Sequence, residues 1–165
     1  MNQYFYNFTI DGDNRGYSYL RFDDKTLYSF TRFLITEDET YTNVFSLKLE
    51  GGRVLGCKHG DGDWVDLGDQ PPDHYPACAY PLLLPRVIST PYTYVQLSCD
   101  DGSTIGKTLL SREGADIVES RDGKEYRRFT MREGVPIRID WGGAVSHLCA
   151  DADKAVAGSG LDFLI

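Results

Sequence analysis

The sequence predicts a mainly β protein, a strongly curved antiparallel sheet in the form of an open or half barrel, and two observations support this. Segments from Tyr4 to Trp141 alternate apolar with polar side chains and are rich in Tyr, Phe and Val. Such alternation fits a sheet with one buried face, because successive side chains on a strand point to opposite sides. Asp-Gly and Gly-Gly pairs, which favour tight turns, separate the segments. At 165 residues, we expect one domain spanning 1–165.

The strands are predicted in two antiparallel meanders, each joined by short turns. A short helix at 152–157, with Asp151 as its N-cap and Gly158 as its stop, follows the second meander. The apolar tail 161–165 is expected to dock on the domain. The predicted strands are 4–10, 16–22, 26–36, 40–49, 53–58 and a short segment at 64–65 in the first meander, and 92–98, 104–110, 115–120, 124–131, 136–141 and 144–149 in the second.

A proline-rich segment separates the two meanders. Six of the seven prolines lie between residues 68 and 91, and proline cannot donate to the ladder of a central strand. We predict two short helical turns here, with Pro76 and Pro81 in their first turns. The run of three leucines at 82–84 is too apolar to remain in water. We therefore expect it to pack on the sheet, either as a plain crossover or as a lid over a cavity.

Composition argues against several classes of function. The formal net charge of -8 repels nucleic-acid backbones and anionic membrane surfaces. No run of eighteen apolar residues is present, so no membrane span is predicted. The first residues lack the features of a signal peptide, and we expect a cytoplasmic protein. The four cysteines are far apart and form no C-x-x-C pair, which predicts free thiols. No cofactor is expected, and the oligomeric state is left open.

Residues 101–108 end in Gly-Lys-Thr, as a phosphate-binding loop does. Asp101, however, stands where such a loop needs a glycine, and Gly114 interrupts the helix that should follow. This segment is therefore predicted to be a hairpin turn without nucleotide binding.

Two further motifs contain residue types that can carry out chemistry. The side chains of His59, Asp61 and Asp63 could serve a hydrolase or a metal ion, but Asp and Gly also suit a solvated turn, and we predict no metal there. Ser146 and His147 are adjacent, so on a strand they face opposite sides and cannot form a nucleophile–base pair. No catalytic residue is predicted. Gly142 and Gly143 are expected at a strand corner with Trp141 packed into the core.

The arrangement of two runs of strands around the insertion Tyr80-Pro81-Leu82-Leu83-Leu84-Pro85 resembles uncharacterised bacterial domains whose curved half-barrel is like that of the periplasmic lipoprotein carriers. Those carriers bind acyl chains on the concave face, under a helical lid. The resemblance implies a similar site here, although we expect no secretion signal of the kind that periplasmic carriage requires.

The leading functional prediction is non-enzymatic binding of an apolar or amphipathic, lipid-like small molecule on the concave face. One alternative is a structural or protein-partner-binding module. The other is a hydrolase or metal-dependent enzyme that uses His59, Asp61 and Asp63. The predicted ligand-binding residues are Tyr80, Leu82, Leu83, Leu84 and Trp141.

Overall fold

The computed structural model describes residues 1–164, and Ile165 lies outside the described residues. It confirms a mainly β protein, built on one curved sheet of thirteen strands in the order β6-β5-β4-β3-β2-β1-β13-β12-β11-β10-β9-β8-β7. The strands are β1 (Asn2–Ile10), β2 (Asp13–Phe22), β3 (Thr26–Leu34), β4 (Thr40–Glu50), β5 (Arg53–His59), β6 (Val65–Asp66), β7 (His74–Pro76), β8 (Tyr92–Leu97), β9 (Thr104–Glu113), β10 (Asp116–Arg121), β11 (Lys124–Arg132), β12 (Val135–Asp140) and β13 (Val145–Cys149).

The two predicted meanders are present, and the pairing of β1 with β13 joins them into one sheet. All neighbouring strands are antiparallel except β7 and β8, which are parallel. The predicted helical turn at Pro76 is wrong in its position, because His74–Pro76 forms the parallel edge strand β7. A 3-10 turn, Ala77–Ala79, begins only after it. Proline is tolerated at this strand because an edge residue need not donate to the ladder.

The sheet curls so far that its two ends approach each other. The Cys57 thiol on β5 donates a hydrogen bond to the Cys99 carbonyl just after β8, at 3.5 Å. Nearby, His59 Nδ1 and Asp100 Oδ1 are 2.7 Å apart. Within residues 1–164 no ladder joins β6 to β7, so the barrel is unclosed.

The proline-rich insertion lies inside this curve and supplies part of the core. Helix α1 (Tyr80–Leu83) has Pro81 in its first turn, as predicted, and a 3-10 turn, Leu84–Arg86, follows it. Leu83 and Leu84 are only 0% and 3% exposed. Complete burial of a leucine side chain contributes about 1.5–3 kcal/mol. The insertion therefore fills one end of the concave side and is part of the hydrophobic core.

A second, smaller apolar cluster lies on the convex face. Tyr17 and Phe30 stack there, and Phe163 packs edge-on against Tyr19. Helix α2 (Ala152–Val156) covers one side of this cluster, and the Asp151 carboxylate caps it by accepting from the Lys154 N–H at 2.8 Å. The predicted docking of the C-terminal tail is thus confirmed for residues 161–164.

No helix in residues 1–164 has both the length and the apolar character required to cross a membrane.

Candidate functional site

The concave side holds a cavity of about 450 Å³ at the end that the insertion does not fill. One wall comes from β1, β3, β4 and β5, and the facing wall comes from β8, β9, β11 and Trp141, which directly follows β12. Residues 76–80 of the insertion contribute to its lining as well. The apolar side chains of the two walls are mainly aromatic, and they are Phe8, Phe33, Tyr41, Phe45, Leu97, Cys99, Ile105 and Trp141.

The first wall is a direct product of strand alternation. On β3, Thr31 and Phe33 face the cavity, and they pair with Asn43 and Tyr41 of β4. Every second residue of each strand therefore reaches the same space. A slip of one residue in the register would turn this set of side chains to the convex face.

His59 closes one side of the cavity and is held on three sides. Its Nδ1 atom lies 2.7 Å from Asp100 Oδ1, and its Nε2 atom lies 2.6 Å from Asn43 Oδ1. Its ring stacks on Phe45 with centroids 4.4 Å apart. Both ring nitrogens therefore lie within hydrogen-bond distance of protein oxygens, and a bound molecule would have to displace Asp100 or Asn43 to reach either of them.

The two aspartates predicted as partners of His59 lie elsewhere. Asp61 and Asp63 are exposed in the turn after β5, and the Gly62 N–H donates to the His59 carbonyl within it. In residues 1–164 no group of three or more His, Cys, Asp or Glu side chains is placed to hold a metal ion.

A buried ion pair stands behind the facing wall. Arg127 Nη2 and Nε donate to the two carboxylate oxygens of Glu119 at 2.7 and 3.3 Å, and Nη2 also donates to the Ala77 carbonyl at 3.1 Å. Arg127 and Glu119 are only 9% and 3% exposed. Burial works to lower the pKa of Arg127, but the charge and the hydrogen bonds of Glu119, together with the nearby Tyr94 and Tyr80, outweigh it, and the net shift is upward. The guanidinium therefore remains charged in the folded protein.

Three aromatic rings fix the position of this guanidinium. Its central carbon lies 5.1 Å from the ring centroid of Tyr80, 5.2 Å from Phe129 and 5.5 Å from Trp141. Burial raises the pKa of Tyr80 to about 12, so its hydroxyl stays protonated. Arg127 lines the cavity together with Tyr80 and Trp141.

Arg127 and Glu119 were not among the predicted site residues. The sequence does contain a signal for them. Each lies two residues from a buried apolar residue on the same strand, Glu119 from Ile117 and Arg127 from Phe129, and so shares its inward face. The two residues also face each other directly across the β10–β11 hairpin. Opposite charges at inward positions of one hairpin indicate a buried pair.

The predicted ligand-binding residues fall into two groups. Tyr80 and Trp141 line the cavity, and Trp141 Nε1 donates to Ser146 Oγ at 3.0 Å. Leu83 and Leu84 lie in the packed core, and Leu82 packs against that core partly buried. The cavity lining does not include these three leucines.

The chain matches no protein family, no curated protein and no solved structure.

Proposed function

We propose that this protein binds an apolar or amphipathic, lipid-like small molecule in the cavity on its concave face, without changing it chemically. The observation that carries the proposal is the cavity itself, about 450 Å³, whose apolar lining is mainly aromatic and is accompanied by polar side chains. Small-molecule sites in proteins are commonly apolar clefts of about 300–1,000 Å³ with a few placed polar groups. This cavity has that size and that character.

The aromatic walls supply the driving force for binding. Each CH₂ group that a ligand buries contributes about 0.8 kcal/mol. Phe33, Phe45 and Ile105 offer apolar surface for such contact. Tyr41 and Ile105, at 43% and 48% exposed, mark the rim through which a ligand enters.

The engagement of His59 favours binding over the enzymatic alternative. A general base needs a ring nitrogen within hydrogen-bond reach of the proton that it takes. Asp100 and Asn43 already occupy both nitrogens of His59. Asp61 and Asp63, the other residues of that alternative, are exposed in a turn.

The proposal assigns different parts to the predicted residues. Tyr80 and Trp141 contact the ligand, whereas Leu82, Leu83 and Leu84 hold the insertion in place against the core. The likeness to the half-barrel of the lipoprotein carriers belongs to this proposal. Here the insertion lines the interior of the cavity, where those carriers use a covering lid.

A titration with prodan, a neutral dye whose emission depends on its surroundings, tests the proposal. We expect saturable binding of one dye per protein, with energy transfer from Trp141 that persists in a Trp64→Phe variant. Trp64 is exposed and does not line the cavity.

Two matched variants locate the site. Ile105→Asp puts a charge at the cavity rim, and we expect it to weaken prodan binding by about tenfold or more. Ile88→Asp makes the same change at a position that is 75% exposed and away from this cavity, and should leave binding unchanged. No saturable binding, or equal effects of the two variants, would contradict the proposal and leave the partner-binding module as the better account.

A further inference from the structure

We propose that the ligand carries an uncharged head group with a hydrogen-bond-accepting oxygen, such as an ester or ketone carbonyl, and that this oxygen binds Nη1 of Arg127. The inference rests on the proposed function, and it adds the chemical class of the ligand and its orientation in the cavity.

The first observation is an unused donor. Nε and Nη2 of Arg127 are taken by Glu119 and by the Ala77 carbonyl. Nη1 has no hydrogen-bond partner among residues 1–164, although the residue is only 9% exposed. Nη1 is not one of the fully buried unpaired side-chain atoms of residues 1–164, so it reaches the solvent of the cavity, where an acceptor on a ligand can replace water as its partner.

The second observation is the direction from which an acceptor can come. Arg127 lines the cavity, whereas Glu119 does not, so the guanidinium is the member of the ion pair that a ligand can contact. The rings of Tyr80 and Trp141 hold the guanidinium from the sides, which keeps its donors in a fixed place. The cavity therefore presents a preorganised donor at its wall.

The third observation is charge, and it favours a neutral head group. Glu119 already neutralises Arg127 at 2.7 Å. Asp100 adds a second carboxylate at the side of the cavity where it contacts His59. An anionic head group would approach two carboxylates and lose its hydration. A cationic head group would meet the guanidinium itself.

The exposure of the lining residues sets the orientation. Arg127 is 9% exposed and marks the deep part of the cavity, whereas Tyr41 and Ile105 are 43% and 48% exposed and mark the rim. The head group therefore enters first, and the apolar part of the ligand follows between Phe33 and Phe45 toward the rim.

Displacement of prodan by three probes of equal chain length tests the head group. They are methyl octanoate, octanoate and octyltrimethylammonium, measured at neutral pH. We expect the ester to bind at least about tenfold more tightly than either ion, because its uncharged carbonyl oxygen can accept a hydrogen bond from Nη1 of Arg127. Tighter binding of octanoate or of the ammonium would overturn this inference and leave the proposed function standing.

Variants of the ion pair test the role of Arg127. The double variant Arg127→Leu with Glu119→Leu removes both charges together, because a single change would leave one charge buried and unpaired. Isothermal titration should show about a tenfold loss of ester affinity. Unchanged ester affinity in the folded double variant would overturn the assignment to Arg127.

Glu119→Gln is the matched variant that retains the guanidinium. It removes one of the two carboxylates near the head group, so the affinity for octanoate relative to the ester should rise. An unchanged ratio would contradict the charge argument even if the double variant fails to fold. If none of the probes, prodan included, binds the wild-type protein, the proposed function fails and this inference fails with it.

Discussion

Phe8 on β1 and Phe33 on β3 stack on each other, with ring centroids 4.6 Å apart, although a whole strand lies between them. The residue between them is Gly16, which pairs with Phe8 on one side and with Phe33 on the other. Because glycine has no side chain, the two rings close over β2 and form one continuous wall of the cavity.

Substitution of Gly16 is expected to damage this wall. A Cβ atom at Gly16 would clash with the Arg32 carbonyl oxygen and would lie 2.6 Å from the Phe33 Cα, and backbone atoms cannot move aside cheaply. We expect Gly16→Ala to lower the free energy of unfolding by about 1–3 kcal/mol or more. Urea unfolding measures this change.

Gly143→Ala is the control for that measurement. A Cβ atom there would meet nothing within 4 Å, and the residue has no positive φ. We expect little change in stability, or a slight gain from reduced freedom of the unfolded chain. Similar losses in both variants would show that the close approach at Gly16 is not the cause.

Strand alternation made most of the fold predictable, because each hairpin depends on local sequence. The turns at Asp11-Gly12 and Asp122-Gly123, for example, both have the positive φ angles that such pairs favour. The parallel strand His74–Pro76 was missed because its partner, β8, lies outside the local sequence pattern. The cavity was harder to predict from the sequence, because the contact between His59 and Asp100 depends on how far the whole sheet curls.

Arg86 fastens the insertion to both ends of the sheet. Its Nη1 donates to the Tyr92 hydroxyl and its Nη2 to the Tyr75 hydroxyl, both at 2.8 Å, while Nη2 also reaches the Gly52 carbonyl at 3.3 Å. The Tyr92 hydroxyl donates in turn to Asp73 at 2.5 Å, and burial together with this bond raises the pKa of Tyr92.

We expect Arg86→Met to lower the free energy of unfolding by about 1–2 kcal/mol, because several donors are lost at once. Arg86→Lys should recover little of it, since an ammonium cannot reach three acceptors in the planar geometry of a guanidinium. Arg132→Met, at an exposed position of β11, is the control and should have almost no effect in urea unfolding. Full recovery by lysine would contradict the geometric explanation.

The cysteines differ in ways that alkylation can measure. The pKa of the Cys57 thiol is raised by a hydrogen bond with the Cys99 side chain and by burial. Cys78, in contrast, lines the cavity. We expect iodoacetamide at mildly alkaline pH to modify Cys78 in the native protein and Cys57 only after unfolding, since the thiolate is the reactive form.

Bound prodan should slow the modification of Cys78 and leave that of Cys149 unchanged, because Cys149 packs with the convex cluster. Peptide mass spectrometry after timed alkylation gives each rate separately. Equal protection of both thiols by the dye would indicate a general tightening of the fold and not occupancy of the cavity.

The loss of folding stability at acid pH should depend in part on Asp116. Arg128 Nη1 donates to the Asp116 carboxylate at 2.9 Å and holds the pKa of Asp116 below its usual 3.8. A carboxylate with a lowered pKa binds its proton less readily when folded, so its contribution to stability is present above the unfolded pKa and is lost as pH falls through the folded value.

Urea midpoints measured from about pH 6 to about pH 3 should therefore fall less steeply in Asp116→Asn than in the wild type. The effect should be small, because Arg128 is exposed enough for water and salt to screen the pair. Asp122→Asn, in the exposed turn before β11, has no such partner among residues 1–164 and should leave the slope unchanged. If the urea midpoints of Asp116→Asn and the wild type fall equally steeply with pH, this ion pair does not contribute to stability.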